Sequence, residues 1–371
     1  MADVPDYDLP PQAIAQHPVQ PRDAARLLVA TGGAPDHRHV RDLPELVGEG
    51  DVLVVNTSRV VPARLRLARL GGGAAEVLLL EPLPAPELGS RPAGATAGEV
   101  PGTTGAETSA AAAVEVVGTA GPEASGAPGA RWLALVRPGR RLPPGSVLYG
   151  HGRPVVEVGE RTADGERVVT SLVPDLLAYG RLALPPYIHT ELADPERYQT
   201  VYADRPGSVA APTAGLHLTP AVLEACRRRG VVVADVDLAV GLGTFRPIKT
   251  ARVDEHAMHS ERYRVPPATW AACRRAERVV AVGTTVVRTL EAAAATGRLE
   301  GRTDLFIRPG FDFKVVDALL TNFHQPRSSL LVLLEAFAGP GWRGLYALAL
   351  AEGYRFLSFG DAMFLVRGAC P

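Results

Sequence analysis

The chain contains few cysteines and almost no lysine. Cys226, Cys273 and Cys370 are widely separated, which argues against a disulfide framework and against a Cys-based zinc site. Sparse cysteines of this kind are typical of proteins of the reducing cytoplasm. Only two of the 39 basic residues, Lys249 and Lys314, are lysine. Arginine therefore carries nearly all of the positive charge.

Long apolar runs and a large net charge are also missing. No apolar stretch approaches the roughly 20 residues that a transmembrane helix needs. The first ten residues, MADVPDYDLP, are acidic and lack the apolar core of a signal peptide. We therefore expect no membrane association and a cytoplasmic location. The formal net charge is −1, so the overall charge does not indicate a nucleic-acid-binding protein.

The secondary-structure pattern predicts two domains in a chain of 371 residues. A short buried strand, 51–55, comes first, and residues 62–179 then show short strands joined by turns, the pattern of a small β-barrel. From residue 180 onward helices and strands alternate, which indicates a mainly parallel sheet. We predict the fold class α/β, in which a catalytic α/β domain (1–61 and 180–371) is interrupted by an inserted β-barrel domain (62–179). Residues 84–130 are too poor in large apolar groups to form a core and predict a disordered loop in the barrel domain.

The most informative segment is YQTVYADRPGSVAAPTAGLHLT, residues 198–219. It places Thr213, Gly215 and His217 in a Gly- and Pro-rich turn directly before a predicted helix. Thr219 is a favourable N-cap residue, and Pro220 suits the first helical position. A turn that presents polar groups at a helix N-terminus is suited to an anionic ligand.

A second strand–turn–helix pattern occurs in RVVAVGTTVVRTLEAA. Ligands of open α/β sheets bind beyond the carboxyl ends of the strands. Gly283 allows a close approach of the backbone, Thr284 and Thr285 supply hydroxyl groups at the positive end of the helix, and Arg288 lies one turn further. The pattern favours a carboxylate ligand, although a plain helix cap is the alternative. It is not the GxGxxG motif of dinucleotide-binding proteins.

Several histidines and carboxylates share these polar segments. Imidazole titrates near neutral pH, and a buried carboxylate can be tuned to do so, which favours a site of proton transfer. No HExxH motif or paired Cys/His spacing supports a metal, and structural hydrogen bonding is the alternative for each histidine. The residues are His217, His256, His259, His324, Glu261, Asp317 and Asp361.

These segments belong to an ordered series of motifs that covers nearly the whole chain apart from residues 84–130. The motifs of this series are DYDLPPQAIAQHPVQPRDAARLLV (6–29), NTSRVVPARL (56–65), RLALPPYI (181–188), VGLGTFRP (240–247), EHAMHSERY (255–263), AVGTTVVRTLE (281–291), TDLFIRPGFDFKVVDALLTNFHQP (303–326) and YRFLSFGDAMF (354–364). Their order resembles that of the S-adenosylmethionine:tRNA ribosyltransferase-isomerase family of queuosine biosynthesis.

The resemblance implies transfer of a ribosyl group from S-adenosylmethionine, the co-substrate, to 7-aminomethyl-7-deazaguanine in tRNA. The products are epoxyqueuosine in tRNA, adenine and methionine, and no metal is required. A base must remove a proton beside the sulfonium, and the departing adenine must be protonated. We expect a monomer whose partner is tRNA carrying the modified base.

We assign the expected roles as follows. Proton transfer is expected from His217, Asp317 and His324. Binding of S-adenosylmethionine is expected from Thr213, Gly215, Gly283, Thr284, Thr285, Arg288 and Asp361. Binding of the acceptor is expected from Arg59, His259, Glu261 and Lys314.

The chain departs from the family pattern at several positions. Ala239 stands where the family has histidine, Leu218 replaces phenylalanine, Phe359 replaces tyrosine, and Thr57-Ser58 replaces Asp-Thr. These changes leave three alternatives open. The first is an enzyme that acts on a free deazapurine or another small acceptor, and the second is a non-catalytic tRNA-binding relative. The third is a methyltransferase, which would form S-adenosylhomocysteine.

Overall fold

The structure is a computed structural model that describes residues 3–84, 128–163, 165–241, 247–250, 252–256, 258 and 260–370. The predicted loop at 84–130 therefore lies almost entirely outside the described residues, and so does His259. The chain divides into two units. The first comprises Met1–Leu65, Leu78–Leu80 and Leu177–Pro371, and the second comprises Arg66–Val77 and Glu81–Leu176. The domain boundaries at residues 62 and 179 stay a proposal.

The strands and α-helices of the described residues have the following bounds. The strands are β1 (Arg26–Ala30), β2 (Asp36–His39), β3 (Asp51–Asn56), β4 (Ser58–Val60), β5 (Arg64–Arg69), β6 (Ala74–Leu83), β7 (Arg131–Arg137), β8 (Ser146–Gly150), β9 (Arg153–Arg161), β10 (Arg167–Ser171), β11 (Gly180–Arg181), β12 (Arg205–Ser208), β13 (Val232–Leu238), β14 (Glu261–Arg264), β15 (Arg278–Val282), β16 (Glu300–Thr303), β17 (Ala318–Asn322) and β18 (Ala362–Val366). The α-helices are α1 (Leu43–Leu46), α2 (Pro220–Arg228), α3 (Pro267–Arg275), α4 (Thr284–Thr296), α5 (Ser329–Ala338) and α6 (Trp342–Ala351).

The first unit is built on a sheet whose nine described strands follow the order β16-β14-β13-β3-β15-β17-β18-β1-β2. The central strands β13, β3, β15 and β17 are mutually parallel. Antiparallel pairs extend the sheet on both sides, where β14 joins β13 and β18 joins β17. The parallel strands therefore all end at the same edge of the sheet, which we call the carboxyl edge; the opposite edge is the amino edge.

Both faces of this sheet are covered, as the apolar sequences of its central strands require. Residues that alternate along a strand point to opposite faces. Val54 of β3 belongs to the apolar cluster that includes α4, α5 and α6, whereas its neighbour Leu53 belongs to the cluster that includes α2. Helix α2 begins as the sequence predicts, because the Thr219 side chain accepts a hydrogen bond from the Val222 N–H group at 3.3 Å.

The second unit contains most of a closed β-barrel. Its described strands follow the order β5-β6-β7-β10-β9-β8, and β8 pairs again with β5 in antiparallel register. Alternate residues of β7 are buried, including Trp132, Ala134 and Val136, because one face of each strand points into the barrel. The predicted fold class, a mainly parallel α/β sheet interrupted by a small β-barrel, is confirmed.

Candidate functional site

The carboxyl edge of the first unit collects polar residues from several segments. Strands β3 and β17 end at Asn56 and Asn322, and β15 is followed by Gly283 and Thr284. The short 3-10 helix Thr213–His217 lies against β17 at this edge. The strand order thus brings together segments that are far apart in the sequence.

Helix α4 begins at this edge with unused hydrogen-bond donors. Gly283 has a φ of 90°, a conformation that favours glycine, and it leads the chain directly into the helix. The first backbone N–H groups of a helix have no partner within it. In addition, Thr285 Oγ1 and Arg288 Nη2 are buried and have no hydrogen-bond partner among the described residues. Thr285 and Arg288, three residues apart, lie on the same side of the helix.

Arg288 is held in place by other groups. Its Nη1 donates to the carboxylate of Glu261, and its Nε donates to the Leu305 carbonyl oxygen at 3.1 Å. Glu261 is buried beside it, and its Oε1 accepts from the Gly241 N–H group at 3.0 Å. The guanidinium is therefore fixed, while its Nη2 has no partner among the described residues.

A buried amide connects two of the predicted site residues. The Thr213 hydroxyl donates to Asn322 Oδ1 at 2.9 Å, and Asn322 Nδ2 lies 2.9 Å from Nε2 of His217. The same Nδ2 donates to the Leu357 carbonyl oxygen at 3.3 Å. The 3-10 helix is thereby fixed to the end of β17.

His324 follows two residues later and is also buried. Its Nε2 lies 3.0 Å from Oγ1 of Thr321. Its backbone is held on both sides, because its N–H group donates to the Tyr346 hydroxyl at 2.8 Å and its carbonyl accepts from the Tyr7 hydroxyl at 2.6 Å. Two tyrosine hydroxyls therefore fix the backbone of His324, and Thr321 contacts its ring.

Both imidazoles are neutral at physiological pH. Burial lowers the pKa of His217 to about 4; nearby Asp361 opposes the shift, and the arginines around the ring add to it. Burial alone lowers the pKa of His324 to about 3. Neutral imidazoles can donate one hydrogen bond and accept another, and they can exchange protons with a substrate.

A cleft lies between the start of α4 and His324. Its two adjoining parts share Thr213, Asn322, His324 and Leu330, and one part extends to Gly283, Thr284 and Thr285. His217 lines a neighbouring pocket with Arg22 and Arg197. Burial and the proximity of Arg197 lower the pKa of Arg22. Asn322 thus lies between the cleft and the pocket of His217.

Two residues of the predicted site lie at the amino edge instead. Asp317 directly precedes β17, and its Oδ2 accepts from the Val279 N–H group at 2.9 Å at the start of β15. Asn322 lies five positions further along the strand, about 17 Å away at about 3.3 Å per residue. Lys314 is exposed and pairs with Asp312. The structure therefore does not bring Asp317 or Lys314 to the two histidines.

The remaining predicted residues occupy varied positions. Gly215 is buried, and a side chain there would collide with the Tyr202 hydroxyl, so the glycine serves close packing. Asp361 lies at the carboxyl edge, but its oxygens accept from the N–H groups of Arg26 at 3.0 Å and Arg355 at 2.8 Å. Arg59 pairs with Glu196 at 2.6 Å and is not among the residues that line the cleft.

The residues that differ from the family pattern lie in different surroundings. Leu218 is fully buried in an apolar cluster, so its replacement of phenylalanine is a change in the core. Phe359 packs edge-on against Tyr198 and lines the pocket of His217. Ala239 follows β13 at the carboxyl edge, where its N–H group donates to the Arg262 carbonyl oxygen at 3.2 Å. Thr57 donates to the Val236 carbonyl oxygen.

Sequence reasoning missed Asn322, whose side-chain amide hydrogen-bonds Thr213 and Leu357 and lies 2.9 Å from Nε2 of His217. The segment LLTNFHQP carries a signal that was available: a buried strand followed at once by amide and imidazole groups. Thr321, whose Oγ1 lies 3.0 Å from Nε2 of His324, was also missed. Within the described part of the chain, no group of three or more His, Cys, Asp or Glu residues has the arrangement of a metal site. No helix there is both long and apolar enough to cross a bilayer.

A parallel sheet with neutral imidazoles, hydroxyls and a helix N-terminus at its carboxyl edge defines an α/β enzyme for a small charged ligand. The model of the queuosine biosynthesis protein family matches residues 3–365. The chain belongs to this family, that of the S-adenosylmethionine:tRNA ribosyltransferase-isomerases. The membership predicted from the sequence is confirmed.

Individual relatives match over nearly the full length. The S-adenosylmethionine:tRNA ribosyltransferase-isomerase of Moorella thermoacetica is 46% identical over 97% of this chain and 98% of its own. That of Rubrobacter xylanophilus is 45% identical over 98% of this chain and 97% of its own. The crystal structure of the S-adenosylmethionine tRNA ribosyltransferase of Thermotoga maritima matches with a TM-score of 0.50 and 34% identity. This match covers 97% of this chain and 99% of that one.

Proposed function

We propose that this protein transfers and isomerises the ribosyl group of S-adenosylmethionine onto 7-aminomethyl-7-deazaguanine in tRNA. The products are epoxyqueuosine in tRNA, adenine and methionine. The observation that carries the proposal is the carboxyl edge, where two neutral imidazoles flank Asn322 beside unused donors at the start of α4. Relatives that carry this activity in their names match nearly the whole chain.

The start of α4 is the proposed site for the methionine carboxylate. Thr285 Oγ1 and Arg288 Nη2 are buried donors without a partner among the described residues, and leaving such groups unpaired costs about 1–3 kcal/mol each. A carboxylate can accept from both and from the free N–H groups of Thr284 and Thr285. Gly283 leaves room for this approach because it has no side chain.

The two histidines are the proposed groups for proton transfer. The carbon beside the sulfonium must lose a proton, and the adenine must gain one. His217 and His324 are buried and neutral. Asn322 contacts His217 and lies two residues before His324 in the chain. Asp317 does not enter this proposal, since it lies at the amino edge. The acceptor-binding roles of Arg59, His259, Glu261 and Lys314, and the donor-binding role of Asp361, stay predictions, as do a monomeric state and a cytoplasmic location.

The test compares products from S-adenosylmethionine with tRNA carrying 7-aminomethyl-7-deazaguanine and with the free base. Mass spectrometry should find adenine, methionine and epoxyqueuosine in the tRNA reaction. Transfer only to the free base would establish the small-acceptor alternative. Binding of tRNA without release of adenine would establish the non-catalytic alternative, and S-adenosylhomocysteine would indicate a methyltransferase. Each of these three results would overturn the proposal.

A further inference from the structure

The orientation of the Asn322 side-chain amide is determined by its neighbours. Nδ2 lies 3.3 Å from the Leu357 carbonyl oxygen, which can only accept a hydrogen bond. Oδ1 accepts from the Thr213 hydroxyl at 2.9 Å. A reversed amide would place two carbonyl oxygens against each other. The nitrogen must therefore face Leu357.

This orientation decides which nitrogen of His217 carries the proton. One hydrogen of the Asn322 amide nitrogen points to Leu357, and the other is left for His217 Nε2, 2.9 Å away. A ring nitrogen that accepts a hydrogen bond carries no proton, so in the neutral ring the proton is on Nδ1. We propose that Asn322 is a positioning residue that holds His217 as the Nδ1-protonated tautomer, a hydrogen-bond donor rather than a proton acceptor.

The charged groups around His217 leave Nδ1 available. Asp361, Arg355, Arg22 and Arg197 are the charged side chains that influence the ring. Asp361 is the only carboxylate among them, and its oxygens are already used by backbone N–H groups and by Arg355. None of the described residues forms a hydrogen bond with Nδ1. The N–H group is therefore free to donate to a ligand.

The tautomer follows from the hydrogen bonds and does not depend on the reaction. Its role in turnover does rest on the proposed function. If His217 can only donate, the proton removed beside the sulfonium must go to another base, and His324 is the second imidazole of the site. The contact with Asn322 thus gives His217 a role different from that of His324, although both histidines are buried.

The test reads the tautomer directly. Protein labelled with ¹⁵N in the histidine rings gives distinct shifts for protonated and unprotonated ring nitrogens, and the signals of His217 are those lost in His217→Gln. We expect Nδ1 to be protonated and Nε2 to be unprotonated at neutral pH. In Asn322→Asp the carboxylate can only accept, so Nε2 should become protonated. Thr213→Val is the matched control, because Leu357 still orients the amide and the tautomer should not change.

Kinetics supply the second readout. Asn322→Asp should lower kcat by about 10²-fold or more, with little change in the KM for S-adenosylmethionine. A protonated Nε2 in the unaltered protein would overturn the proposal, and so would an unprotonated Nε2 in Asn322→Asp. The spectrum of the unaltered protein decides the matter even if the variant does not fold. Because the spectrum needs no turnover, a failure of the proposed function is seen separately in the product analysis.

Discussion

The two edges of the central sheet contain similar polar residues in very different states. At the carboxyl edge, Thr285 and Arg288 have buried atoms without partners among the described residues. His324 lines the cleft there, and His217 lines the neighbouring pocket. At the amino edge, the carboxylates of Asp51, Asp317 and Glu291 all have partners. Glu291 alone accepts from three consecutive backbone N–H groups, those of residues 314–316, at 2.8–3.0 Å.

This difference shows that residue type alone does not separate a catalytic group from a structural one. A buried polar group with all its partners stabilises the fold, whereas an unpaired one costs free energy that a ligand can recover. Asp317 looked catalytic because it lies in the same motif as His324. Its hydrogen bond to the backbone of β15 instead gives it a structural role, because the bond joins two strands.

The largest effect is expected from His217→Ala at the carboxyl edge. Groups that transfer or orient protons contribute about 10²–10⁴-fold in rate, so single-turnover release of adenine should fall by this factor. Equilibrium binding of S-adenosylmethionine should change little. If release is unchanged, the two edges do not differ in function and His217 is structural.

Glu291→Ala, at the amino edge, should mainly lower the stability of the fold. It leaves three backbone N–H groups without their acceptor, at about 1 kcal/mol or more each, so the free energy of unfolding should fall by about 3 kcal/mol. Urea denaturation measures this change, with the exposed Glu300→Ala as the control. A loss below about 0.5 kcal/mol would show that water replaces the carboxylate and that the amino edge is not held by it.

Acid should weaken the fold through the two histidines. Their folded-state pKa values of about 4 and about 3 lie below the ordinary 6.5, so the unfolded state binds more protons and stability falls as the pH drops below about 6.5. Each histidine should cost about 2 kcal/mol at pH 5. His217→Gln and His324→Gln should flatten this dependence in denaturation curves taken between pH 7 and pH 5. The exposed His189→Gln is the control and should leave the slope as it is.

Asp317→Ala, also at the amino edge, should lower the stability less than Glu291→Ala does. The loss of the hydrogen bond to Val279 and of the pair with Arg367 should lower the stability by about 1–2 kcal/mol, while kcat stays nearly the same. Thermal melting and single-turnover assays on the same sample separate the two. A fall in kcat of about 10²-fold at unchanged stability would restore the catalytic role that the sequence predicts.

The smallest effect is expected at Ala239, at the end of β13. A methyl group can neither donate a hydrogen bond nor titrate, so we expect altered recognition of the acceptor with retained donor chemistry. Ala239→His should raise the turnover of the tRNA substrate relative to the free base, as measured by adenine release. Robust activity on tRNA in the unaltered protein, with no gain from histidine, would contradict this hypothesis.

Sequence patterns were sufficient for the fold and for much of the carboxyl edge. Alternation of short strands predicted the barrel, and the Thr219-Pro220 start predicted α2. The turn at Gly283 to Thr285 predicted the start of a helix at the end of a strand, and α4 begins there. These features depend on neighbouring residues, so local physical chemistry decides them. The strands that were not predicted include β2, β14 and β16, whose short sequences show no clear period. They also include β1 and β17, although both are short apolar runs like β3.

The sequence by itself determined which segments carry polar groups, which family the chain belongs to and where two histidines stand in its motifs. Only the tertiary structure decided which of these groups meet. Strand order placed Asn322 against His217, 105 residues earlier in the chain. It also placed Asp317 at the other end of the same strand. Hydrogen-bond partners that are distant in sequence are set by sheet topology and packing. A motif alone therefore does not show whether a buried polar group has a hydrogen-bond partner.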